Sequence, residues 1–423
     1  MTLLDAPLPS GWRATTIGAD ADVLTGFPFP SRGYSGSGPR LVRGSNVKRG
    51  VLDWADGITK RWPEVTAKVA PYQLDVGDVV IAMDGALVGR SYAVISDADL
   101  PALLLQRVAR LRSSSIAQRL MLCWIGSSWF VEHVDACKTH TAIPHISPAD
   151  IRNFQVRVPE DAVEQRAIAG ALSDVDALIV SLERLIAKKR HIKQGTMQRL
   201  LTGKARLPGF DGEWPAIRLG DRVAYLKTAT NSRAELSTNA GVKYLHYGDI
   251  HTTESVKLNA RSADMPRLEA TRVKAARLRV GDLVFVDASE DTAGVGKSVE
   301  IVDVPSSGVI AGLHTIAARF DKQVLADGFK GYLQFCPEFR TALLRLAAGI
   351  KVLATSKRHV SSVVMRLPGP EEQRAIAAVL SDMDADITAL GARLTKMRDI
   401  KQGMMQELLT GRTRLLEPEE VAA

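Results

Sequence analysis

Features that would indicate a membrane protein, a secreted scaffold or a zinc protein are missing from this sequence of 423 residues. No apolar run approaches the roughly 18 residues that a helix needs to cross a bilayer. The first residues, Met1 to Pro7, carry no basic segment ahead of an apolar stretch, so we expect no secretory signal. The three cysteines, Cys123, Cys137 and Cys336, are widely spaced and form no CxxC pair. These absences predict a cytoplasmic protein.

The sequence also lacks the motifs of a nucleotide-dependent enzyme or a methyltransferase. Gly294 to Ser298 resembles the end of a phosphate-binding loop, but the full pattern requires glycine where the chain has Asp291. The residues that follow, from Val299, are typical of a strand, whereas such a loop precedes a helix. No glycine-rich dinucleotide fingerprint and no Asp-Pro-Pro-Tyr or Asn-Pro-Pro-Tyr box is present. The eight histidines show no metal-binding spacing. We therefore expect no catalytic site, metal ion or bound cofactor on this chain.

What is present is the composition of a globular protein with a positive net charge. Hydrophobic residues make up 46% and charged residues 24% of the chain. The 55 Lys and Arg exceed the 47 Asp and Glu by eight, which favours an anionic partner. Residues 368–423 carry seven Lys and Arg against ten Asp and Glu, so the positive excess lies elsewhere. This C-terminal segment is better suited to protein contacts than to phosphate.

The strongest signal in the sequence is a tandem repeat. Residues 164–207 and 372–415, at a fixed offset of 208 positions, are identical at 27 of 44 positions. Fainter matches pair Trp12 with Trp214, and Val76-Gly-Asp with Val280-Gly-Asp. Each half is therefore predicted to hold a variable domain followed by a nearly invariant segment. The predicted boundaries are 1–158, 159–207, 208–367 and 368–416, with a tail at 417–423.

Each repeated segment is predicted to form a long helix of the coiled-coil type. Apolar residues recur at spacings of four and three, which places them on one face for another helix. Gly203 and Gly411 follow the segments, as glycines do at helix C-termini. We expect the two helices to pair antiparallel, with the variable domains related by a pseudo-two-fold axis; each helix packing on its own domain is the alternative. The predicted seam consists of Ile168, Leu172, Val175, Ile179, Leu182, Ile186, Ile376, Leu380, Met383, Ile387, Leu390, Leu394 and Met397.

The variable domains are predicted to have a mixed α/β fold. Short β-rich runs at 79–83 and 92–95 flank a turn in the first domain, and runs at 283–286 and 299–304 flank one in the second. Trp12 and Trp214 recur in step, so we expect both in the cores.

The order of these parts resembles the specificity subunits of type I restriction-modification systems. Its marks are Glu164-Gln-Arg-Ala-Ile-Ala and the copy at Glu372, Lys193-Gln-Gly with Leu200-Leu-Thr-Gly, and Gly209-Phe-Asp-Gly-Glu-Trp before the second domain. The chain departs from the family's pattern at 349–356, where the first domain has Ile-Pro-His-Ile-Ser.

The resemblance implies two tandem target-recognition domains joined by two conserved helices in an antiparallel coiled coil. It implies a non-catalytic subunit that reads a bipartite, asymmetric target in double-stranded DNA, one half per domain. It also implies two methyltransferase subunits and restriction or translocase subunits as partners, with S-adenosylmethionine, ATP and Mg bound by those partners.

The candidate DNA contacts are polar and basic loop residues. Arg and Lys suit guanine, Asn suits adenine, and cationic side chains also bind phosphate. In the first domain the candidates are Arg32, Tyr34, Arg40, Arg43, Asn46, Lys48, Arg49, Lys60 and Arg61. In the second domain they are Lys227, Asn231, Arg233, Lys243, His246, Tyr247, Lys351, Lys357 and Arg358.

Two other functions remain open on the sequence alone. A diverged, stand-alone adenine methyltransferase would bind S-adenosylmethionine by itself, although the missing motifs argue against it. A coiled-coil scaffold that binds DNA without sequence preference would have no need for two domains with different loops.

Overall fold

The chain divides into two compact units in a computed structural model that describes residues 7–238, 241–347 and 352–415. The first unit comprises the described residues up to Arg184 together with those from Ala392 onward. The second unit is Leu185–Gly391. Each unit therefore contains one variable region and a segment of each repeated helix. Within the described ranges, no helix is long and apolar enough to cross a membrane.

The first half of the chain consists of short strands and helices followed by one long helix. The strands are β1 Trp12–Thr16, β2 Asp22–Thr25, β3 Ser35–Val42, β4 Arg49–Gly50, β5 Val79–Ala82, β6 Tyr92–Val94, β7 Ala102–Leu104, β8 Val108–Arg112 and β9 Gln155–Pro159. The α-helices are α1 Ile17–Asp20, α2 Gln118–Ile125, α3 Ser128–Cys137, α4 Pro148–Arg152 and α5 Ala162–Leu200. Short 3-10 turns span Ser31–Gly33, Ala70–Tyr72 and Asp97–Asp99.

The second half repeats this order. The strands are β10 Ala216–Arg218, β11 Val223–Leu226, β12 Val242–Leu245, β13 Lys257–Asn259, β14 Arg267–Leu268, β15 Leu283–Val286, β16 Ala288–Ser289, β17 Ser298–Asp303, β18 Val309–Ala311, β19 Thr315–Phe320, β20 Leu353–Ala354 and β21 Val364–Arg366. The α-helices are α6 Tyr247–Thr252, α7 Pro337–Leu346, α8 Lys357–Ser362 and α9 Pro370–Leu408. The 3-10 turns span Leu219–Arg222, Arg233–Glu235, Ala270–Arg272 and Lys330–Phe335.

A five-stranded sheet forms the centre of each unit, in the orders β2-β8-β5-β6-β4 and β11-β19-β15-β17-β13. All four residues of β5 are buried, because successive side chains point to opposite faces and both faces are covered. Val79 and Ile81 enter one apolar core, whereas Val80 and Ala82 enter another. The buried strand β15 divides its side chains between two cores in the same way. The runs predicted at 79–83 and 283–286 thus form the central strands.

A repeated turn precedes each central strand and explains the Val-Gly-Asp match. Gly77 and Gly281 have φ of +90° and +88°, a conformation that favours glycine. The aspartate that follows each glycine is buried and binds an arginine of the neighbouring strand through both oxygens. Asp78 binds Arg112 at 2.7 and 2.6 Å, and Asp282 binds Arg319 at 2.7 Å twice.

The phosphate-loop resemblance at Gly294–Ser298 is not supported by the backbone. β17 begins at Ser298, so a strand and not a helix follows the glycines. This agrees with the strand predicted from Val299. A phosphate-binding loop places its anion at a helix N-terminus, and the local structure here provides none.

The two long helices have the same length, 39 residues each, and they cover equivalent positions of the two repeats. Gly203 and Gly411 follow them with φ of +68° and +73°, as glycines do at a helix C-terminus. Gly195 and Gly403 lie within the helices, and a Cβ at either position would meet nothing within 4 Å. The thirteen predicted seam residues are all buried or half-buried.

Candidate nucleic-acid interface

A buried glutamine near the start of each long helix binds the backbone of the adjoining variable region. In the first unit, Gln165 accepts a hydrogen bond from the Ala117 N–H at 2.8 Å and donates to the carbonyls of Ser115 and Pro159. In the second unit, Gln373 makes the equivalent three bonds to Ala326, Val324 and Pro368. The glutamine of the Glu-Gln-Arg motif therefore fixes the direction in which each helix leaves its domain.

A buried glutamate beside each glutamine binds an arginine that follows the end of the other helix. Glu164, whose side chain is 2% exposed, accepts two bonds from Arg414 at 2.5 and 2.8 Å. The guanidinium also lies 5.9 Å from the ring centre of Trp12, which is buried as predicted. The copy in the second unit consists of Glu372, Arg206 and the half-buried Trp214.

Ion pairs along the helices show that their segments run antiparallel within each unit. In the first unit, Lys401 binds Asp176 at 2.6 Å, and Arg398 binds Glu183 farther along α5. In the second unit, Lys193 binds Asp384, the copy of the first of these pairs. A helix start thus lies against a helix end in each unit.

The turn after β3 contains two candidate residues and is closed by its own side chains. The Arg43 N–H donates to Asn46 Oδ1 at 3.2 Å, and Asn46 Nδ2 donates to the Asp53 carbonyl at 2.9 Å. Asn46 is fully buried, so its amide holds the turn and does not face solvent.

The turn after β12 repeats this geometry with different residues. The His246 N–H donates to Asp249 Oδ2 at 2.9 Å, and the Gly248 N–H donates to His246 Nδ1 at 3.2 Å. Burial lowers the pKa of His246, so at neutral pH this ring carries no charge for a phosphate. Tyr247 follows and lies half-buried against it, with ring centres 4.4 Å apart.

Lys243 of β12 also faces the interior. Its Nζ donates to the carbonyls of Arg261 and Ala263 at 2.9 and 2.7 Å, and burial lowers its pKa. Its ammonium therefore binds the backbone of the unit, and it is not presented to a ligand in this structure.

Three of the candidate arginines in the first unit brace loops through backbone carbonyls. Arg40 donates to Ala98 at 2.6 Å and lies over the Trp54 ring. The other two bonds run from Arg43 to Ile58 and from Arg61 to Gly38. The exposed candidates are Arg32, Lys48, Arg49, Lys227, Arg233, Lys357 and Arg358. The remaining half-buried candidates are Tyr34, Lys60 and Asn231, and Lys351 lies outside the described residues.

A left-handed turn beside each central strand carries a residue that the sequence reasoning missed. Arg107, between β7 and β8, has φ of +66°, and His314, between β18 and β19, has φ of +56°. Arg107 donates from Nη1 to Asp84 at 3.0 Å. His314 Nδ1 lies 3.2 Å from Asp287 Oδ1. Aligning the strands of the two halves would have paired these residues, but neither belongs to a motif.

Three segments meet at one edge of each unit, which we call the loop edge. In the first unit it comprises 43–46, 83–84 and 105–107, and in the second 246–249, 287–288 and 312–314. A Cβ on Gly44 would lie 3.2 Å from Asp84 Oδ1. Tyr247 follows β12 as Gly44 follows β3, at the second position, and its ring lies edge-on to His314 at 5.5 Å. The two loop edges therefore share a backbone plan and differ in side chains.

No group of three or more His, Cys, Asp and Glu side chains that could hold a metal ion occurs among residues 7–238, 241–347 and 352–415. The cysteines are free, with Cys336 buried and the other two half-buried.

Curated relatives with similar sequences are specificity subunits. The chain is 30% identical over 182 residues to the type I restriction enzyme EcoAI specificity subunit of Escherichia coli, which is 42% of this chain and 30% of the relative. It is 24% identical over 291 residues to the type I restriction enzyme MjaVIII specificity subunit of Methanocaldococcus jannaschii, covering 65% of this chain and 66% of that protein. The matched regions thus span less than two thirds of these relatives' own lengths. No family model matches the chain.

Solved structures with a similar fold come from the same kind of system. The type I restriction-modification S subunit from M. genitalium covers 96% of this chain, with a TM-score of 0.59 and 13% identity. A structure describing complex assembly and conformational transition of the type I R-M system also covers 96%, with a TM-score of 0.57 and 17% identity. The predicted mixed α/β fold, with two sheet-rich domains and two long helices, is confirmed.

The fold and the repeated helix contacts thus define the class of tandem-repeat, two-domain proteins joined by long helices. Within that class, the chain is similar in sequence and fold to the specificity subunits of type I restriction-modification systems. The resemblance predicted from the sequence is confirmed.

Proposed function

We propose that this chain is the DNA-specificity subunit of a type I restriction-modification complex and has no catalytic site of its own. It reads a bipartite, asymmetric target in double-stranded DNA, with one recognition domain at 1–158 and the other at 208–367. A role on chromosomal DNA would place it in the cytoplasm.

The observation that carries this proposal is the contrast between copied scaffold and unlike loop edges. The two units repeat the buried Gln and Glu–Arg contacts residue for residue. Their loop edges, however, differ in side chains: Arg107 and Gly44 both lie beside Asp84 in one unit, whereas Tyr247 lies beside His314 in the other. A protein that reads two different half-sites needs this combination, whereas a scaffold without sequence preference gains nothing from it.

The exposed cations are the proposed phosphate contacts. Lys48 and Arg49 follow the turn after β3, and Lys357 and Arg358 begin α8. Contacts of this kind fix the register of a protein on DNA and make its binding sensitive to salt.

The two long helices are proposed to set the distance between the half-sites and to bind two methyltransferase subunits, with restriction or translocase subunits joining them. With the predicted seam turned toward the other helix, apolar residues on the outward side would remain available for a partner. Leu178, Leu185, Ile192 and Ile400 are such residues, and each is at least 36% exposed. S-adenosylmethionine, ATP and Mg would be bound by the partner subunits.

The test is a map of adenine methylation, by direct single-molecule DNA sequencing, in the host with and without this gene. Deletion should abolish methylation at one gapped, asymmetric motif and leave every other motif unchanged. Returning the gene should restore it. An unchanged map in cells that express the methyltransferase partner would refute the proposal.

A second measurement separates the remaining alternatives. Calorimetry with the isolated chain should detect no binding of S-adenosylmethionine, whereas a stand-alone methyltransferase would bind it. A scaffold without sequence preference would leave no motif whose methylation depends on the gene.

A further inference from the structure

We propose that Arg107 and His314 are base-reading residues, one in each recognition domain. This inference rests on the proposed DNA-specificity function and names the side chains that determine it. Neither Arg107 nor His314 is among the candidate DNA contacts that were predicted from the sequence. The proposal stands on backbone conformation, on the paired aspartates, on exposure and on the equivalent positions of the two residues.

The first argument is the backbone conformation. Arg107 and His314 are the non-glycine residues with positive φ in the described chain. Side chains disfavour this region because Cβ approaches the following carbonyl, so glycine fits such turns without cost. Strained positions of this kind cluster at functional sites, where the side chain is retained for what it does. Their recurrence at equivalent turns of two diverged domains favours a function over accident.

The second argument is that each side chain is held by a carboxylate yet remains open to a ligand. Arg107 is 67% exposed and its partner Asp84 is 24% exposed. His314 is 52% exposed and its partner Asp287 is 33% exposed. An aspartate that binds one nitrogen fixes the direction of the side chain and leaves its outer atoms available. Less side-chain freedom is then lost when DNA binds.

The two aspartates that bind Arg107 and His314 do not occupy equivalent positions in the two domains; they are offset by one residue. The Met83 N–H donates to the Arg107 carbonyl, and the Asp287 N–H donates to the His314 carbonyl. Met83 and Asp287 therefore occupy equivalent positions in the two domains. Asp84 therefore lies one residue later than Asp287. Each domain pairs its left-handed residue with a carboxylate by its own route, although the exact contact is not copied.

The chemistry indicates what each residue would contact. With Nη1 bound to Asp84, Arg107 retains outward donors that suit the N7 and O6 acceptors of guanine in the major groove. A carboxylate can only accept, so the contact with Asp287 places a proton on His314 Nδ1. In the neutral ring Nε2 is then an acceptor, which suits the exocyclic amine of adenine or cytosine.

The surroundings of the two residues differ in a way that fits two half-sites. Gly44 contributes no side chain beside Asp84, the carboxylate that binds Arg107. In the second unit, the Tyr247 ring lies beside His314, with the ring centres 5.5 Å apart and the ring planes nearly perpendicular. The same backbone plan therefore presents a long cation in one domain and, in the other, an imidazole ring that contacts a tyrosine.

The experiment uses the full methyltransferase complex containing this chain and DNA duplexes with single base-pair changes in each half of its motif. Arg107→Ala should lower the preference for the correct base pair at one position of one half-site by roughly ten-fold to a hundred-fold. The preferences in the other half-site should not change. His314→Ala should do the same in the other half-site. Asp84→Asn should lower the preference at the same base pair as Arg107→Ala does, but by a smaller factor.

Matched controls come from exposed arginines that also pair with aspartates. Arg90 pairs with Asp135 in the first unit, and Arg261 pairs with Asp303 in the second. Arg90→Ala and Arg261→Ala should leave the specificity at every position unchanged. Arg107→Gly fits the left-handed turn and replaces the alanine variant if that one does not fold.

Arg107→Lys separates base reading from a phosphate contact. Lysine keeps the charge but lacks the planar pair of donors, so discrimination should fall although the affinity for DNA remains. Uniformly weaker methylation of an unchanged motif in Arg107→Ala, with normal behaviour of Arg107→Lys, would overturn the proposal. A wild-type complex that methylates no gapped motif would instead refute the specificity function itself.

Discussion

The two units compared residue by residue differ at their loop edges far more than at the helix contacts. Gln165 and Gln373 make equivalent sets of three backbone bonds, although the variable regions they bind differ in sequence. At the loop edge, by contrast, the residues after the paired strands share only their backbone geometry. The difference teaches that duplication preserved the contacts that orient each domain on its helix, and that sequence change was tolerated where a ligand would bind.

The largest expected effect comes from the copied glutamines. Gln165→Ala and Gln373→Ala each remove three buried hydrogen bonds and leave backbone groups without partners, so each should lower the free energy of unfolding by about 3 kcal/mol. Chemical denaturation measures the loss, and exposed Gln194→Ala is the control. Unequal losses at the two sites would break the equivalence of the units.

The next largest loss of stability is expected when a buried glutamate loses its arginine partner. Arg414→Ala leaves the Glu164 carboxylate buried without its cation, and we expect a loss of about 2 kcal/mol because the arginine is itself partly exposed. Arg206→Ala should likewise lower the melting temperature. Arg412, an exposed neighbour 3.8 Å from Glu407, provides the control, and its alanine variant should change stability little. A loss in Arg414→Ala no larger than in Arg412→Ala would contradict the role of this contact.

At the two left-handed turns, replacement by glycine should give a more stable protein than replacement by alanine. Arg107→Gly and His314→Gly should each be about 1 kcal/mol more stable than the alanine variant at the same site, since only glycine relieves the positive φ. Thermal melting of the four variants gives the comparison. Glycine variants less stable than their alanine counterparts would show that the turns carry no strain.

The smallest effects are expected where a contact occurs in only one unit. Arg398 binds Glu183 in the first unit and Lys189 binds Asp386 in the second, and these side chains are at least 41% exposed. Each alanine variant should cost less than about 0.5 kcal/mol. A larger cost in either variant would mean that contacts outside the repeat also hold the helices.

The sequence was sufficient to predict the elements whose signal is periodic. The long helices, their C-terminal glycines and the central strands at 79–83 and 283–286 follow from apolar spacing and repetition. It did not indicate that Glu164 meets Arg414, because residues 250 positions apart leave no local trace of their contact. Only the fold brings a helix start to a helix end.

Polarity alone was a poor guide within the loops. Asn46, Lys243 and His246 are polar residues of loops and strand ends, but their side chains satisfy the backbone inside the unit. Conversely, Arg107 and His314 occupy turns where the usual signal is glycine or asparagine, so no pattern marked them. Which loop atoms are already bonded is decided by tertiary structure.

The most direct test of the central claim is to make the two domains identical. β1 pairs with β9 and β10 pairs with β21, so both ends of each domain lie on adjacent strands and residues 12–159 can be replaced by 214–367. Adenine methylation is then mapped in cells that supply the methyltransferase partner. Two domains that each read one half-site predict a new gapped motif built from two copies of a single half-site. Retention of the original asymmetric motif would contradict the account.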